Sequence, residues 1–192
     1  MTAISFILAS ASPRRKSLLE QIGAAPDKII AAELDETPCS GELPRDYALR
    51  LACEKAMAVA TDHPEAMIMG ADTVVACGRR ILPKAEDEKT ARACLALISG
   101  RGHRVYSGVA LVAPDGSIRT RTVETRVKVR RLDSAAVDDY IASGEWRGKA
   151  GGYAIQGLFA KHIQSIVGSY SNVVGLPLYE ASNLLSGAGR VK

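Results

Sequence analysis

The chain has 192 residues, 47% of them hydrophobic and 24% charged, which is enough for one domain with a full core or for two small lobes around a cleft. Its formal net charge of +4 comes from Lys and Arg spread along the whole sequence. That distribution argues against a duplex nucleic-acid binder, which concentrates its basic residues on one face, and suits a small polyanion equally well.

The first element in chain order is an apolar run, Ile4–Ala9, which reads as a buried strand. It is too short to span a membrane, and its positive charges follow it rather than precede it, so neither an anchor nor a signal peptide is expected. Ser12-Pro13 reads as a helix cap with proline at the first helical position, and the helix continues through Leu18, Leu19 and Ile22 to Gly23. Its first turn carries orphan backbone N–H groups, the hydroxyls of Ser10 and Ser12, and the cations Arg14, Arg15 and Lys16. Cations there oppose the helix dipole, and an acidic ligand would resolve the conflict, so the segment outlines a phosphate site. Many Ser-Pro turns open helices that bind nothing, and first-turn cations are commonly just solvated.

Lys28–Ala32 is a short strand candidate, and the acidic loop from Glu33 to Pro38 leads to a long helix from Pro44 to Thr61 with Tyr47, Leu51 and Ala52 on one face. Met67–Ala71 is a buried strand running into Asp72-Thr73-Val74-Val75, and Arg79–Leu82 returns as a small hairpin turned at Gly78. Glu88–Ile98 is helical and stops at Ser99-Gly100. The centre is β-rich, with His103–Ala113 and Ser117–Leu132 joined by Pro114-Asp115-Gly116. Alternation of Val123, Thr125, Val127 and Val129 with charged residues gives the second of these strands one wet face. Ala135–Ser143 is a helix capped by Ser134. A Gly-rich stretch from Gly144 to Gly157, a strand over Phe159–Val167 and a helix over Pro177–Leu185 complete the chain. The mixture of parallel-type and hairpin strands predicts an α/β fold around a long mixed sheet, as one domain over residues 1–192.

Asp72 is the first candidate for chemistry, since a carboxylate at the end of a buried strand suits a general base or metal ligand, or simply caps a turn. Asp35 and Glu36 either face water or complete a hard-cation site, because Mg²⁺ is held by one or two carboxylates plus substrate phosphates. Lys55, Lys84 and Lys149 are scattered lysines, of which Lys84 stands out by following Leu82-Pro83. His63, His103 and His162 have no partners at useful spacing, and no Ser-His-Asp triad is supported. Cys39, Cys53, Cys77 and Cys94 show neither CxxC nor zinc-like spacing, so reduced thiols in a cytoplasmic protein are expected, with Cys53 and Cys94 as packing residues. In Lys149-Ala150-Gly151-Gly152-Tyr153-Ala154-Ile155-Gln156-Gly157, Tyr153 offers a stacking face. The Gln156 amide both donates and accepts, as the edge of a uracil or thymine requires. An ordinary glycine-rich loop would carry the same residues.

Taken together and in order, these segments resemble the Maf family of nucleoside triphosphate pyrophosphatases. The resemblance rests on Ser10-Ala11-Ser12-Pro13-Arg14-Arg15, Asp35-Glu36, Glu54-Lys55-Ala56, Gly70-Ala71-Asp72-Thr73-Val74, Lys84, Leu97-Ile98-Ser99-Gly100, Lys149 to Gly157, and Gly168-Ser169-Tyr170-Ser171-Asn172-Val173-Val174-Gly175-Leu176-Pro177. It implies an elongated α/β fold with a cleft between two lobes, similar to inosine triphosphate pyrophosphatases. The implied reaction is metal-dependent hydrolysis of a nucleoside triphosphate to monophosphate and pyrophosphate. It makes Asp72 the catalytic base and links Arg14, Thr73 and Gln156 to substrate choice in the branch acting on dTTP and UTP. Tyr153 and Gln156-Gly157 side with that branch rather than the one preferring 7-methyl-GTP, and Lys84-Ala85 departs from a common Lys-Pro pair. Ser10, Arg14, Arg15, Lys55 and Lys84 are expected to hold the triphosphate, with Mg²⁺ or Mn²⁺ between its oxygens, Asp72 and Glu36. A homodimer is a further expected partner state. Two rival readings are a non-catalytic nucleotide-binding regulator of septation and a purine-selective housecleaning pyrophosphatase.

Overall fold

The parallel strands at the start of the chain and the hairpins of its middle join in one mixed sheet. In the computed structural model, which describes residues 4–190, the strands of that sheet lie in the order β2-β1-β3-β6-β7-β9, with β4 paired to β3. Here β1 is Phe6–Ala9, β2 Lys28–Ile29, β3 Met67–Cys77, β4 Arg80–Leu82, β6 Gly102–Val112, β7 Ile118–Val129 and β9 Ile163–Val167. The pairs β1·β2 and β1·β3 are parallel, and all the others are antiparallel. Two short strands, β5 (Lys84–Ala85) and β8 (Lys149–Ala150), form a separate antiparallel ribbon. The helices are α1 (Pro13–Gln21), α2 (Pro44–Asp62), α3 (Glu88–Ile98), α4 (Ser134–Ser143), α5 (Tyr170–Val174) and α6 (Leu178–Gly187). The mixed-sheet α/β architecture expected from the sequence is therefore present.

Several boundaries differ from the sequence reading, each for a local reason. β3 does not end before Asp72 but carries it as the central residue of eleven, because β6 pairs with β3 without a break from Ile68 to Ala76. Ser12 does begin the extended entry to α1, with Pro13 following, yet its hydroxyl makes no capping hydrogen bond. The cap of α4 is Asp133 rather than Ser134, since the Asp133 carboxylate accepts from the Ala136 N–H at 2.8 Å and can do so with a full charge. Residues Leu158–His162 form a 3-10 turn, so that Phe159 and His162 drop into the core, and the strand begins only at Ile163. Of the Lys28–Ala32 candidate only Lys28 and Ile29 pair with β1.

The helix α2 fixes the geometry of the site. Its stripe of Tyr47, Ala48, Leu51, Ala52, Lys55, Ala56 and Val59 is buried against β3 and β6. Contact is direct backbone to backbone at two glycines. A Cβ on Gly70 would stand 2.2 Å from the Ala52 carbonyl oxygen, and one on Gly108 would stand 2.3 Å from that of Ala48. Neither neighbour is a flexible side chain that could move aside. Gly70→Ala is therefore expected to push α2 off the sheet, lowering stability by about 1–3 kcal/mol in urea unfolding, the range for an overpacked core. Gly102→Ala, where nothing lies within 4 Å, is the matched control and should unfold like wild type.

Candidate active site

The sheet leaves an opening beside Asp72. Along one edge of β3, pairing with β1 stops at Gly70 (opposite Ala9), and pairing with β4 begins only at Val75 (opposite Leu82). Among the described residues, Ala71 to Val74 thus have no strand on that side. The opening lies just beyond the carboxyl end of β1, where a strand neighbour changes, which is where α/β sheets form crevices for ligands. A cavity of about 520 Å³ occupies it, lined by the β1–α1 turn, Lys55 of α2, Asp72 and Thr73 of β3, Glu36, the β5·β8 ribbon and Gly175.

At the floor of this cavity one ammonium holds two carboxylates. Lys55 Nζ lies 2.6 Å from Asp72 Oδ1 and 2.6 Å from Glu36 Oε1. Lys84 Nζ reaches the other Glu36 oxygen at 2.7 Å. Lys55 and Asp72 are buried, because the close seat of α2 on Gly70 points the Lys55 stem straight into the sheet opening. Burial works against the Glu36 charge, but hydrogen bonds from Lys55 and Lys84 outweigh it and hold its pKa at about 2. The backbone carbonyl of Glu36 accepts a hydrogen bond from the Tyr47 hydroxyl, which tethers the loop to α2. Burial, with the nearby charges of Asp72 and Glu36, pushes the Tyr47 phenol up to about 12, so it remains a donor.

Ser10, Arg15 and Thr73 form a second, connected group. Arg15 is buried and donates to Ser10 Oγ at 2.7 Å, to the Gly175 carbonyl at 2.9 Å and to Thr73 Oγ1 at 3.3 Å. Thr73 Oγ1 lies 2.8 Å from Ser107 Oγ. Arg15, expected to help hold the triphosphate, is in the cavity lining with three of its donors already engaged by the protein. Most of its donors are spent on fixing the β1–α1 turn against β3 and the end of α5, and among the described residues its guanidinium makes no ion pair, although the charges of Asp72 and Glu36 lie near it. Arg14, by contrast, makes no side-chain hydrogen bond among the described residues, and burial lowers its pKa. Burial, then the charge of Arg14, lowers that of Lys149 in the same way, so the two cations crowd each other across the cavity.

Three residues singled out by the sequence stand differently from what it suggests. Tyr153 lines the cavity but is buried, with its hydroxyl 2.7 Å from His103 Nε2 and its ring packed on Phe159, so it builds the wall rather than offering an open stacking face. Burial holds the His103 imidazole down at about 4, which keeps it neutral in this pair. Gln156 is exposed and is not among the residues lining the cavity, since Ala154 and Ile155 beside it turn inward to the core. Asp35 is exposed and accepts from the Thr37 N–H at 2.9 Å, an Asx turn rather than a ligand position. Arg147 also lines the cavity, and the signal for it in the sequence is its place two residues before Lys149-Ala150-Gly151-Gly152.

The lining carries Arg14, Arg15, Lys55, Lys84, Arg147 and Lys149 against Asp72 and Glu36, six cations to two carboxylates, an excess of four positive charges. That excess matches a polyphosphate and repels a cationic ligand. No cluster of three or more His, Cys, Asp or Glu side chains exists among the described residues. Asp72 and Glu36 nonetheless converge on one cation, the Lys55 ammonium, and two carboxylates completed by phosphate oxygens and water are the donor set a hard divalent ion takes. The residues fit such an ion in type and number.

Comparison with known proteins finds relatives along nearly the whole chain. Residues 5–188 match the family model described as Maf-like protein. A dTTP/UTP pyrophosphatase of Paramagnetospirillum magneticum is 61% identical over 183 residues, covering 95% of this chain and 96% of that protein. One of Caulobacter vibrioides is 58% identical over 185 residues, covering 96% of each. A HAM1 protein from Coxiella burnetii, 12% identical, shares the fold with a TM-score of 0.53 over 97% of this chain and all of that one.

Proposed function

This chain belongs to the Maf-like family, and on that premise we propose that it hydrolyses dTTP and UTP to the monophosphate and pyrophosphate, as a guard of the nucleotide pool. The observation that carries the chemistry is the Lys55 ammonium held between Asp72 and Glu36 at the floor of a cavity with four positive charges in excess. Phosphoryl transfer asks little covalent chemistry of a protein and much positioning and charge neutralisation, which such a cavity supplies.

In the proposed reaction the triphosphate lies along the cations, with Arg14 and Lys84 neutralising its oxygens and the Ser10–Arg15–Thr73 group shaping the turn against which it rests. Asp72 orients a water toward the α-phosphorus and takes up its proton as the new P–O bond forms. The bond from that phosphorus to the bridging oxygen breaks, and pyrophosphate departs with the bridging oxygen's electron pair. Lys55 holds both carboxylates in place and helps to keep that of Glu36 ionised. Asp72 and Glu36 would hold a Mg²⁺ or Mn²⁺ ion, whose contribution when bound is to neutralise phosphate charge and acidify water, a help to so weak a base as a carboxylate. We place the reaction in the cytoplasm, in keeping with four unpaired cysteines. No helix among the described residues is long and apolar enough to cross a membrane.

Pyrophosphate release from UTP, dTTP, GTP and ATP, with and without Mg²⁺, tests the proposal. Faster turnover of the two pyrimidines is expected, and equal turnover of GTP would overturn the base assignment. Gln156→Glu refines the test. Because Gln156 is exposed, its loss should cost no more than an ordinary hydrogen bond, about twofold to tenfold in kcat/KM for UTP and dTTP, with purine triphosphates less affected. An equal loss for every base would assign Gln156 to the loop and not to base selection.

A further inference from the structure

Two guanidinium groups line the cavity without any side-chain hydrogen bond or ion pair among the described residues, and they come from separate elements of its lining. Arg14 stands in the first turn of α1, and Arg147 stands on the turn that enters β8. The other cations are engaged. Lys55 and Lys84 hold carboxylates, Arg15 holds Ser10, Thr73 and Gly175, and Lys149 Nζ donates to the Arg147 carbonyl at 2.9 Å.

Arg147 is set rather than loose. Its guanidinium carbon lies 4.5 Å from the centre of the Trp146 ring, a stacked cation–π contact that leaves the N–H edge of the fork unused. Trp146 beneath it is buried, with its indole N–H bonded to the Ile141 carbonyl at 2.9 Å. The turn itself is pinned where the Gly148 N–H donates to the Ala85 carbonyl at 2.9 Å. A planar, oriented, unpaired guanidinium facing an electropositive cavity is the arrangement that recognises phosphate oxygens in pairs.

We propose that Arg147 is the second jaw of a guanidinium clamp, gripping the polyphosphate chain of the substrate together with Arg14. The proposal rests on the nucleotide reading above and adds a binding residue from the small ribbon to it. The clamp joins the two parts of the cavity through the ligand, so binding orders the ribbon against the large sheet.

Inorganic tripolyphosphate is the probe, since it carries the charge and no base. Calorimetric titration into wild type and Arg147→Gln should show affinity falling by roughly tenfold to a hundredfold, the cost of losing charge-assisted hydrogen bonds. Trp146 is the chain's one tryptophan, so its emission should change saturably over the same concentrations in wild type. Unchanged tripolyphosphate affinity in Arg147→Gln overturns the clamp, as does wild-type binding that leaves Trp146 emission unmoved. UTP turnover by the wild type, measured in parallel, separates the two levels. Turnover together with an unaffected variant removes Arg147 alone, and a wild type that neither turns over nucleoside triphosphates nor binds tripolyphosphate removes the nucleotide reading as well.

Discussion

Asp72→Asn is expected to cut pyrophosphate release from UTP by at least about 10²-fold, the lower range for loss of a general base, while UTP still binds. The substitution keeps the size of the side chain and removes its charge, so it isolates what the carboxylate does. The fold should persist because Lys55 retains Glu36 as a partner at 2.6 Å, and its ammonium is not stranded in the sheet opening. Parallel measurements of kcat and of nucleotide affinity decide the matter. A collapse of kcat with affinity retained places Asp72 on the reacting water; kcat within a few-fold of wild type would falsify that role. A loss confined to affinity would instead make Asp72 a residue that only places the phosphates.

The chemistry of the site was more legible in the sequence than its geometry. Asp72, Glu36, Lys55, Lys84, Arg14 and Arg15 all line one cavity, although they come from five separate places in the chain between α1 and β5. Their types suffice to suggest a polyanion and a hard cation. Pairing is another matter, because no periodicity announces that Lys55, in the middle of a helix, crosses to a strand residue. That contact depends on Gly70 and Gly108, each of which reads locally as a small residue in a strand. Their meaning appears only when α2 lies on them and a Cβ has no room.

Arg15 shows the same limit from the other side. Next to Arg14 in sequence, it has the same formal charge and the same helix turn, and nothing local distinguishes them. A step of one residue rotates a helical side chain by about a quarter-turn or slightly more, and that rotation carries Arg15 inward to Ser10, Thr73 and Gly175 while Arg14 faces the cavity. Asp133 displaced Ser134 as a cap for a simpler reason. Two adjacent residues both suit the position, and the charged Asp133 carboxylate takes the Ala136 N–H. The Gln156 amide suits a base edge by type, but the burial of Ala154 and Ile155 on one side and Phe159 on the other turns it to the outside.

Lys55→Met should be the most damaging single change to stability at this site. Methionine fills the stem's place but leaves the buried Asp72 carboxylate without its cation, next to Glu36 with a like charge. Removing one partner of a buried pair costs about 3–5 kcal/mol. Glu36 is half-buried and can turn toward Lys84, so the lower end applies, about 3 kcal/mol or roughly 6–12 °C in Tm for a chain of this size. The effect should depend on pH with a definite sign. In wild type the Glu36 pKa is lowered from its ordinary 4.5 to about 2, so its stabilisation is fully present above pH 4.5 and is lost as pH falls toward 2. Without Lys55 the depression shrinks to what Lys84 provides, and less stability remains to be lost on acidification. Urea unfolding of both proteins from neutral pH down to pH 3 should therefore show a gap that is widest near neutrality and narrows below pH 4.5. A gap that stays constant through that window would mean that Lys55 supports the fold through its packing alone, and that Glu36 owes its lowered pKa to Lys84.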